Sequence, residues 1–330
     1  LKFGISIVPN RPATEFVEHV KLAEEEGFDS AWIADVGLHR ETFMMCALAS
    51  QGTRRIRIGT GVVNPYTRNP GLIAAQVATL QEMSHGRAFL GLGVGGYRAL
   101  RQLGISTWDR PALTLRESVK VIRGLLDGEK LAFRGSVFTV ANAQIDFQSK
   151  ARPPIYLGVM LGRQGLRIAG ELCDGALLVG PLGNQTKRIV ETVRQAARDS
   201  GRDPQEVNIA MTAPFSVSRN PVEAIRAAKQ TVAELGILDD RLRSAILVEG
   251  ITNEEISRVK GAVQQGRAAE EAVTDAMVDL FGIAGTPSNC VEKIESLRKI
   301  GIDQIVVGRP ARQSPEMMKI IGKEIIPILR

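Results

Sequence analysis

The sequence predicts an α/β fold, a closed (β/α)8 TIM barrel with insertions, formed as one domain over residues 1–330. Three observations predict it. Short apolar runs alternate with amphipathic stretches along the whole chain, the rhythm of repeated strand–helix units. The runs are continuously apolar, as strands buried on both faces of a parallel sheet must be. Eight such runs can be counted, which points to a closed barrel more than to an open sheet. No proline- or serine-rich linker divides the chain, so the eight units are expected to share one domain.

Taken in order, strand one spans 3–8 and is followed by a helix at 14–26. Phe16, Val17, Val20 and Ala23 share one face of that helix, and Gly27 ends it. A strand at 30–34 leads to a helix at 41–53, and a strand at 57–63 to a helix at 70–84 that opens on proline. Strand four is 88–93, with a helix at 111–127 after it. Strands at 155–159, 175–179 and 207–217 alternate with helices at 165–172, 185–200 and 221–235. A helix at 288–300, a strand at 304–307 and a helix at 315–326 close the rhythm. Two stretches interrupt it. In an insertion near 129–150, apolar residues alternate around Arg134-Gly135, a hairpin signal. The second, 236–280, is polar and helical, too long for a connection, and is expected to cover a substrate.

Hydrophobic residues at 44% and charged residues at 24% provide ample material for a core and exclude a disordered chain. Lys and Arg exceed Asp and Glu by 42 to 36, but the basic residues lie singly on helix faces and aromatics are few. No nucleic-acid partner is expected. The small excess suits an anionic ligand. Cys46, Cys173 and Cys290 lie far apart without a CxxC pair and read as buried apolar residues in a reducing compartment. The three histidines, His19, His39 and His85, form no metal-ligand spacing, and no metal is expected. Residues 1–5 read as strand rather than as a signal peptide, and no apolar run approaches the ~18 residues of a membrane span, so a cytoplasmic protein without membrane association is expected.

In a barrel of this kind the chemistry sits at the C-terminal ends of the strands. That rule selects Ser6 in strand one, Asp35 after strand two, residues 61–64 after strand three and 93–96 after strand four. It adds 158–165, 180–183 and 213–215 after the later strands. The stretch from Gly158 through Gly162 to Gly165 follows a strand and opens a helix, so its amides can cradle an anion, with Arg163 adding charge; a tight turn without a ligand explains the same glycines. Gly93-Val94-Gly95-Gly96 lacks the first βαβ unit that a dinucleotide fingerprint requires. Asp35 suits a ligand edge, or else a helix cap or an ion pair with Arg40. Gly59 and Gly61 within one strand mark a bulge or the close approach of a ligand.

Asn64-Pro65-Tyr66-Thr67-Arg68-Asn69-Pro70, Gly86-Arg87-Ala88, Gly201-Arg202-Asp203-Pro204, Gly285-Thr286-Pro287 and Ile321-Gly322-Lys323-Glu324-Ile325 resemble the archaeal coenzyme F420-dependent methylenetetrahydromethanopterin reductases of the luciferase-like flavin/deazaflavin superfamily. The resemblance runs over nearly the whole chain. It implies a luciferase-like barrel in which a non-prolyl cis peptide at Gly61-Val62 supports one face of a deazaflavin ring. It places Asp35 and Asn64 near that ring, and Gly158, Gly162, Gly165, Gly180 and Pro181 near the cofactor phosphate. Basic residues at the strand-end loops would meet the acidic tail. Hydride would pass between the deazaflavin C5 and a small-molecule substrate, and the chain would form a homodimer or larger homo-oligomer. The chain departs from the pattern at three positions. Ser6 replaces a strand-one glutamate, Gly96 replaces a carboxylate after strand four, and Val36 stands where related sugar-phosphate dehydrogenases carry a histidine. Another donor or water then handles the proton; Ser6, His39 and Tyr97, with Tyr66 and Arg98, are the candidate replacements, while His39 also reads as an exposed loop histidine and Tyr97 and Arg98 as residues that only shape the pocket mouth. Two further readings stay open: an FMN-dependent luciferase-like monooxygenase, and a non-catalytic flavin- or deazaflavin-binding protein.

Overall fold

The computed structural model describes residues 1–105, 109–147, 151–160, 162–237, 242–308 and 314–330. The chain runs β1 (Lys2–Ile7), α1 (Ala13–Glu25), β2 (Ser30–Ile33), α2 (Thr42–Gly52), β3 (Arg57–Thr60), α3 (Pro70–Met83), β4 (Ala88–Leu92), α4 (Tyr97–Gln102) and α5 (Pro111–Leu126). The strands β5 (Leu131–Arg134) and β6 (Thr139–Ala143) follow, then β7 (Ile155–Val159), α6 (Arg163–Leu172), β8 (Gly175–Val179), α7 (Asn184–Asp199), β9 (Asn208–Val217) and α8 (Pro221–Val232). The last part contains α9 (Arg243–Val248), α10 (Asn253–Gln264), α11 (Asp275–Phe281), β10 (Ile283–Gly285), α12 (Pro287–Lys299), β11 (Gln304–Gly308), α13 (Pro315–Ile320) and α14 (Ile326–Leu329).

Eight parallel strands close the barrel in the order β1-β2-β3-β4-β7-β8-β9-β11, with β11 returning to β1 at Phe3↔Ile305. These are the eight apolar runs read from the sequence. The short β10 extends β9 through Ile283↔Phe215, and the stretch around Arg134 is an antiparallel hairpin, Arg134↔Thr139. Two elements escaped the sequence reading, α4 and β10, because neither is long enough to show a period. Helix α8 stops at Val232 and passes into a π-helical turn, Ala233–Ile237.

Strand alternation divides the core in two. Phe3, Ile5 and Ile7 on β1 face the helices and are fully buried there. Gly4 and Ser6 face the barrel axis. Inside, Trp32, Phe89 and Tyr156 pack with Leu177, Ala210 and Val306, the Trp32 and Phe89 rings 4.3 Å apart. Glycines on neighbouring strands make room for these rings. A Cβ at Gly4 would stand 2.8 Å from Trp32 Nε1, and one at Gly59 would strike the Phe89 carbonyl. Gly59 is therefore a packing glycine rather than a ligand-facing one. A separate apolar cluster joins α8 to α9, α10 and α11 through Val232, Ile246, Val259 and Met277, and Met160 from the loop after β7 packs against it.

Candidate functional site

The strand ends two and three are tied together by one arginine. Asp35, two residues beyond β2, receives Arg68 Nη1 on Oδ2 at 2.7 Å and Arg68 Nη2 on Oδ1 at 3.2 Å. Thr42, fully buried at the start of α2, donates its hydroxyl to Asp35 Oδ1 at 3.0 Å. Arg68 Nη2 also reaches Glu41 Oε1 at 2.9 Å. The partner of Asp35 is thus Arg68; Arg40 instead points to the Pro9 carbonyl. Burial works against the Arg68 charge, but the hydrogen bonds and charges of Asp35 and then Glu41 outweigh it and push the guanidinium above its ordinary range.

The Asn64–Pro70 loop is shaped by its own polar side chains. Asn64, buried at the end of strand three, accepts the N–H groups of Tyr66 (3.1 Å) and Thr67 (3.0 Å) on Oδ1. Asn69 caps α3 by accepting the Gly71 N–H at 2.8 Å, and Pro70 supplies the preset first turn. The Asn64 oxygen is spent on the loop, while its NH2 edge lies under Gly95, whose φ of +76° a glycine accommodates without strain. Tyr66 reaches across to the Asp109 carbonyl at 3.3 Å. Burial first, then the Asp109 charge, raises the Tyr66 phenol against the opposing Thr114 hydrogen bond, so the hydroxyl keeps its proton.

The Gly61–Val62 peptide is cis. The Val62 side chain lies against three glycines of the neighbouring strand ends: a Cβ at Gly93 would stand 2.7 Å from Val62 Cγ2, one at Gly158 3.1 Å from Cγ1, and one at Gly91 3.0 Å from Cγ1. Side chains on these glycines would displace it. Val62, packed against these glycines and the aromatic cluster inside the barrel, forms an apolar face beyond the end of strand three.

Two helices begin beside this face, and their N-termini differ. Helix α6 starts at Gly162 with no side-chain cap, and nothing lies within 4 Å of where a Gly162 Cβ would stand. Gly158 and Gly165 flank it, the latter close against Val159, and Arg163 is exposed on its first turn. A helix N-terminus whose amides meet no side-chain cap among the described residues, with a nearby cation, is suited to an anion. Helix α7 starts at Gly183, and its Asn184 and Gln185 N–H groups are held by the Glu249 carboxylate at 3.2 and 2.9 Å. A Cβ at Gly183 would strike that carboxylate. Gly180 and Pro181 are buried beneath this junction, and the Pro181 carbonyl accepts the Thr186 hydroxyl at 3.0 Å.

The remaining residues singled out from the sequence are spread around the mouth. Ser6 points into the barrel on β1, level with Trp32. His39 is exposed on the turn after Asp35, its backbone N–H bonded to the Val36 carbonyl at 3.2 Å. Tyr97 begins α4 directly after Gly96; its side chain lies outside the described residues. Sequence reasoning assigned no role to Arg68, Thr42 or Glu249. Arg68 stood within the quoted Asn64–Pro70 motif, but its partner lies 33 positions away on another strand end.

The sequence matches the Luciferase-like monooxygenase family over residues 2–304. It is 37% identical to a 5,10-methylenetetrahydromethanopterin reductase of Methanolobus tindarius, over 99% of this chain and 100% of that one. It is 33% identical to the same enzyme of Archaeoglobus fulgidus, over 100% of both chains. The structure superposes on a coenzyme F420-dependent tetrahydromethanopterin reductase from Methanopyrus kandleri with a TM-score of 0.92 and 30% identity, covering 100% of this chain and 99% of that one. The family match over residues 2–304 and the 37% identity over 99% of the chain show that this chain belongs to the luciferase-like monooxygenase family.

Proposed function

We propose that this protein is a coenzyme F420-dependent oxidoreductase similar to methylenetetrahydromethanopterin reductase. The carrying observation is the N-terminus of α6, which meets no side-chain cap among the described residues, adjoins the Val62 face at Gly158 and has open space at Gly162. A planar heterocycle with a phosphate-bearing tail fits these two features together. When bound, the deazaflavin donates or accepts a hydride at C5. The whole-length likeness to the coenzyme F420-dependent reductase of Methanopyrus kandleri supports this cofactor over FMN.

The residues divide the work. Gly61 and Val62 support one ring face. Asp35 and Asn64 meet the polar ring edge. Gly158, Gly162 and Gly165 bring backbone amides to the phosphate, with Gly180 and Pro181 behind it. Ser6, His39 and Tyr97 are the groups available to move a proton to or from a small-molecule substrate. The chain acts as one domain. The insertion at 236–280 covers the substrate. No helix among the described residues is long and apolar enough to cross a membrane; a cytoplasmic homodimer or larger homo-oligomer is the working assembly.

Fluorescence titration of the purified protein with F420 and, separately, with FMN tests this reading. Micromolar binding of F420 with FMN at least tenfold weaker is expected, together with oxidation of the reduced cofactor by a methylene-tetrahydropterin. Binding of FMN without F420 would replace the cofactor and turn the reading to oxygen chemistry. Tight F420 binding with no turnover across imine and alkene substrates would leave a carrier protein.

A further inference from the structure

We infer that Arg68 is a positioning residue that leaves Asp35 one free acceptor direction, on Oδ2, for an N–H of a bound heterocycle. The inference rests on the proposed cofactor site and names the group that orients its polar edge.

An ionised carboxylate offers about four acceptor directions. At Asp35 three are taken: Thr42 Oγ1 (3.0 Å) and Arg68 Nη2 (3.2 Å) on Oδ1, and Arg68 Nη1 (2.7 Å) on Oδ2. The fourth, on Oδ2, meets no partner among the described residues. The Asp35 side chain is only 14% exposed, so a direction left unfilled there costs desolvation that a ligand N–H would recover. The frame around it is anchored twice over. Glu41 takes Arg68 on Oε1 at 2.9 Å and the Met44 N–H on Oε2 at 2.8 Å, which fixes Arg68 to the first turn of α2. Thr42 also donates to the Ala34 carbonyl at 3.3 Å, so the hydroxyl is shared between Asp35 and the strand end.

Charge selects the ligand group. Two carboxylates face one guanidinium in this cluster, so it keeps a net negative charge and repels phosphate. The anionic part of a ligand belongs at α6, and a neutral N–H donor belongs here. The imide edge of a deazaflavin and the amide edge of a reduced pterin both carry such a group. A lysine at 68 would keep the charge but not the fork that spans both Asp35 oxygens and Glu41.

Arg68→Lys, Asp35→Asn and their double variant are compared by F420 titration, steady-state kinetics and thermal unfolding. Arg68→Lys should raise the F420 Kd about tenfold if the cofactor edge docks here, or the substrate KM by the same factor if the pterin edge does, about what one lost charge-assisted hydrogen bond costs. The double variant should be no more than twofold worse than Asp35→Asn alone, because both changes remove one constraint. Thr42→Val, which leaves Arg68 in place and removes the hydroxyl that Asp35 Oδ1 and the Ala34 carbonyl share, should raise the same constant about threefold and gives a second reading if Arg68→Lys does not fold. Effects of Arg68→Lys and Asp35→Asn that multiply, or unchanged Kd and KM in Arg68→Lys, would overturn the role of Arg68. Failure of the unsubstituted protein to bind F420 would instead overturn the cofactor reading.

Discussion

Glu249 accepts the backbone N–H of Gln185 at 2.9 Å, and with it the chain places one of its own carboxylates on the N-terminus of α7. The sequence had put glycines at the starts of both α6 and α7 near an expected phosphate. The structure separates the two ends. At α7 the first turn is capped by the Glu249 carboxylate; at α6 no side-chain cap is found among the described residues. On the proposed reading a phosphate then goes to α6, while the α7 end is closed by Glu249, which directly follows α9 in the 236–280 insertion. Gln185 reinforces the junction by donating to the Ala245 carbonyl at 2.9 Å.

Glu249→Ala should uncap α7. The loss expected for a helix cap is ~1 kcal/mol, or a few degrees in Tm for a chain of this size. The sharper readout is local: hydrogen exchange at Asn184 and Gln185 should accelerate, and at α6 it should not. Equal acceleration at both helices would show that Glu249 supports the barrel mouth in general rather than this one end.

Gly162→Asp should reproduce at α6 what Glu249 does at α7. Gly162 already has the extended backbone of an N-cap, with φ −68° and ψ 112°, and no atom lies within 4 Å of the position its Cβ would take. An aspartate there fits and can accept first-turn amides, so the protein should be as stable as before or slightly more so. Its charge would occupy the place of the phosphate. F420 affinity should fall by more than tenfold while Tm is maintained. A Gly162→Asp protein that binds F420 normally would move the phosphate away from α6.

The hairpin β5–β6 is held by one buried acid, and its stability should depend on pH. Glu117 on α5 accepts the N–H groups of Ser136 (2.7 Å), Val137 (2.9 Å) and Phe138 (2.9 Å). Burial raises its pKa, but the three amides, and then Lys120, outweigh burial and bring it below its ordinary 4.5. The carboxylate thus stabilises the folded hairpin fully above about 4.5, and the contribution is lost as the pH falls through the lowered value. Below that range the Val137 and Phe138 amides should exchange faster in the native protein. Glu117→Gln should show exchange about tenfold faster at neutral pH and lose the acid dependence. An acid dependence that survives in Glu117→Gln would assign it to other carboxylates.

The parts legible in the sequence were those set by local pattern. The eight barrel strands could be read because each is apolar on both faces, and the hairpin because Leu131, Phe133 and Val140 alternate around a glycine turn. The parts that were hidden depend on partners distant in sequence. Arg68 and Asp35 are 33 positions apart and Glu249 and Gln185 are 64 apart, so no local spacing joins them. Gly59 was misleading for the opposite reason. Its neighbour Phe89 on β4 demands a residue without a side chain, and a packing demand of that kind looks the same in sequence as a ligand approach.

One local pattern was legible and passed unread: an aspartate directly before a strand, after an apolar residue, at Phe28-Asp29, Cys173-Asp174 and Ile302-Asp303. Each makes the same closed pair with a residue of the adjoining strand. Asp29 donates its N–H to the Phe3 carbonyl and accepts the Phe3 N–H, both at 2.7 Å; Asp174 does so with Ile155, both at 2.8 Å; Asp303 does so with Ile209, both at 2.8 Å. These pairs start strand pairing at the closed end of the barrel. They differ in what lies behind them. Asp174, 22% exposed, also holds Arg123 (3.1 Å) and Arg152 (3.1 Å). Asp303 holds one arginine, Arg194, at 2.8 Å, and Asp29 meets only the half-exposed Arg330 at 3.4 Å. Asp174→Asn should therefore cost the most, ~2–4 kcal/mol, because it turns an amide toward two guanidiniums and the buried Arg123 Nε already has no partner among the described residues. Asp303→Asn should cost less, and Asp29→Asn ~1 kcal/mol or under, because solvent screens its arginine. Urea denaturation of the three variants ranks them. Equal losses would mean that the shared backbone pair carries the stability and the arginines add nothing.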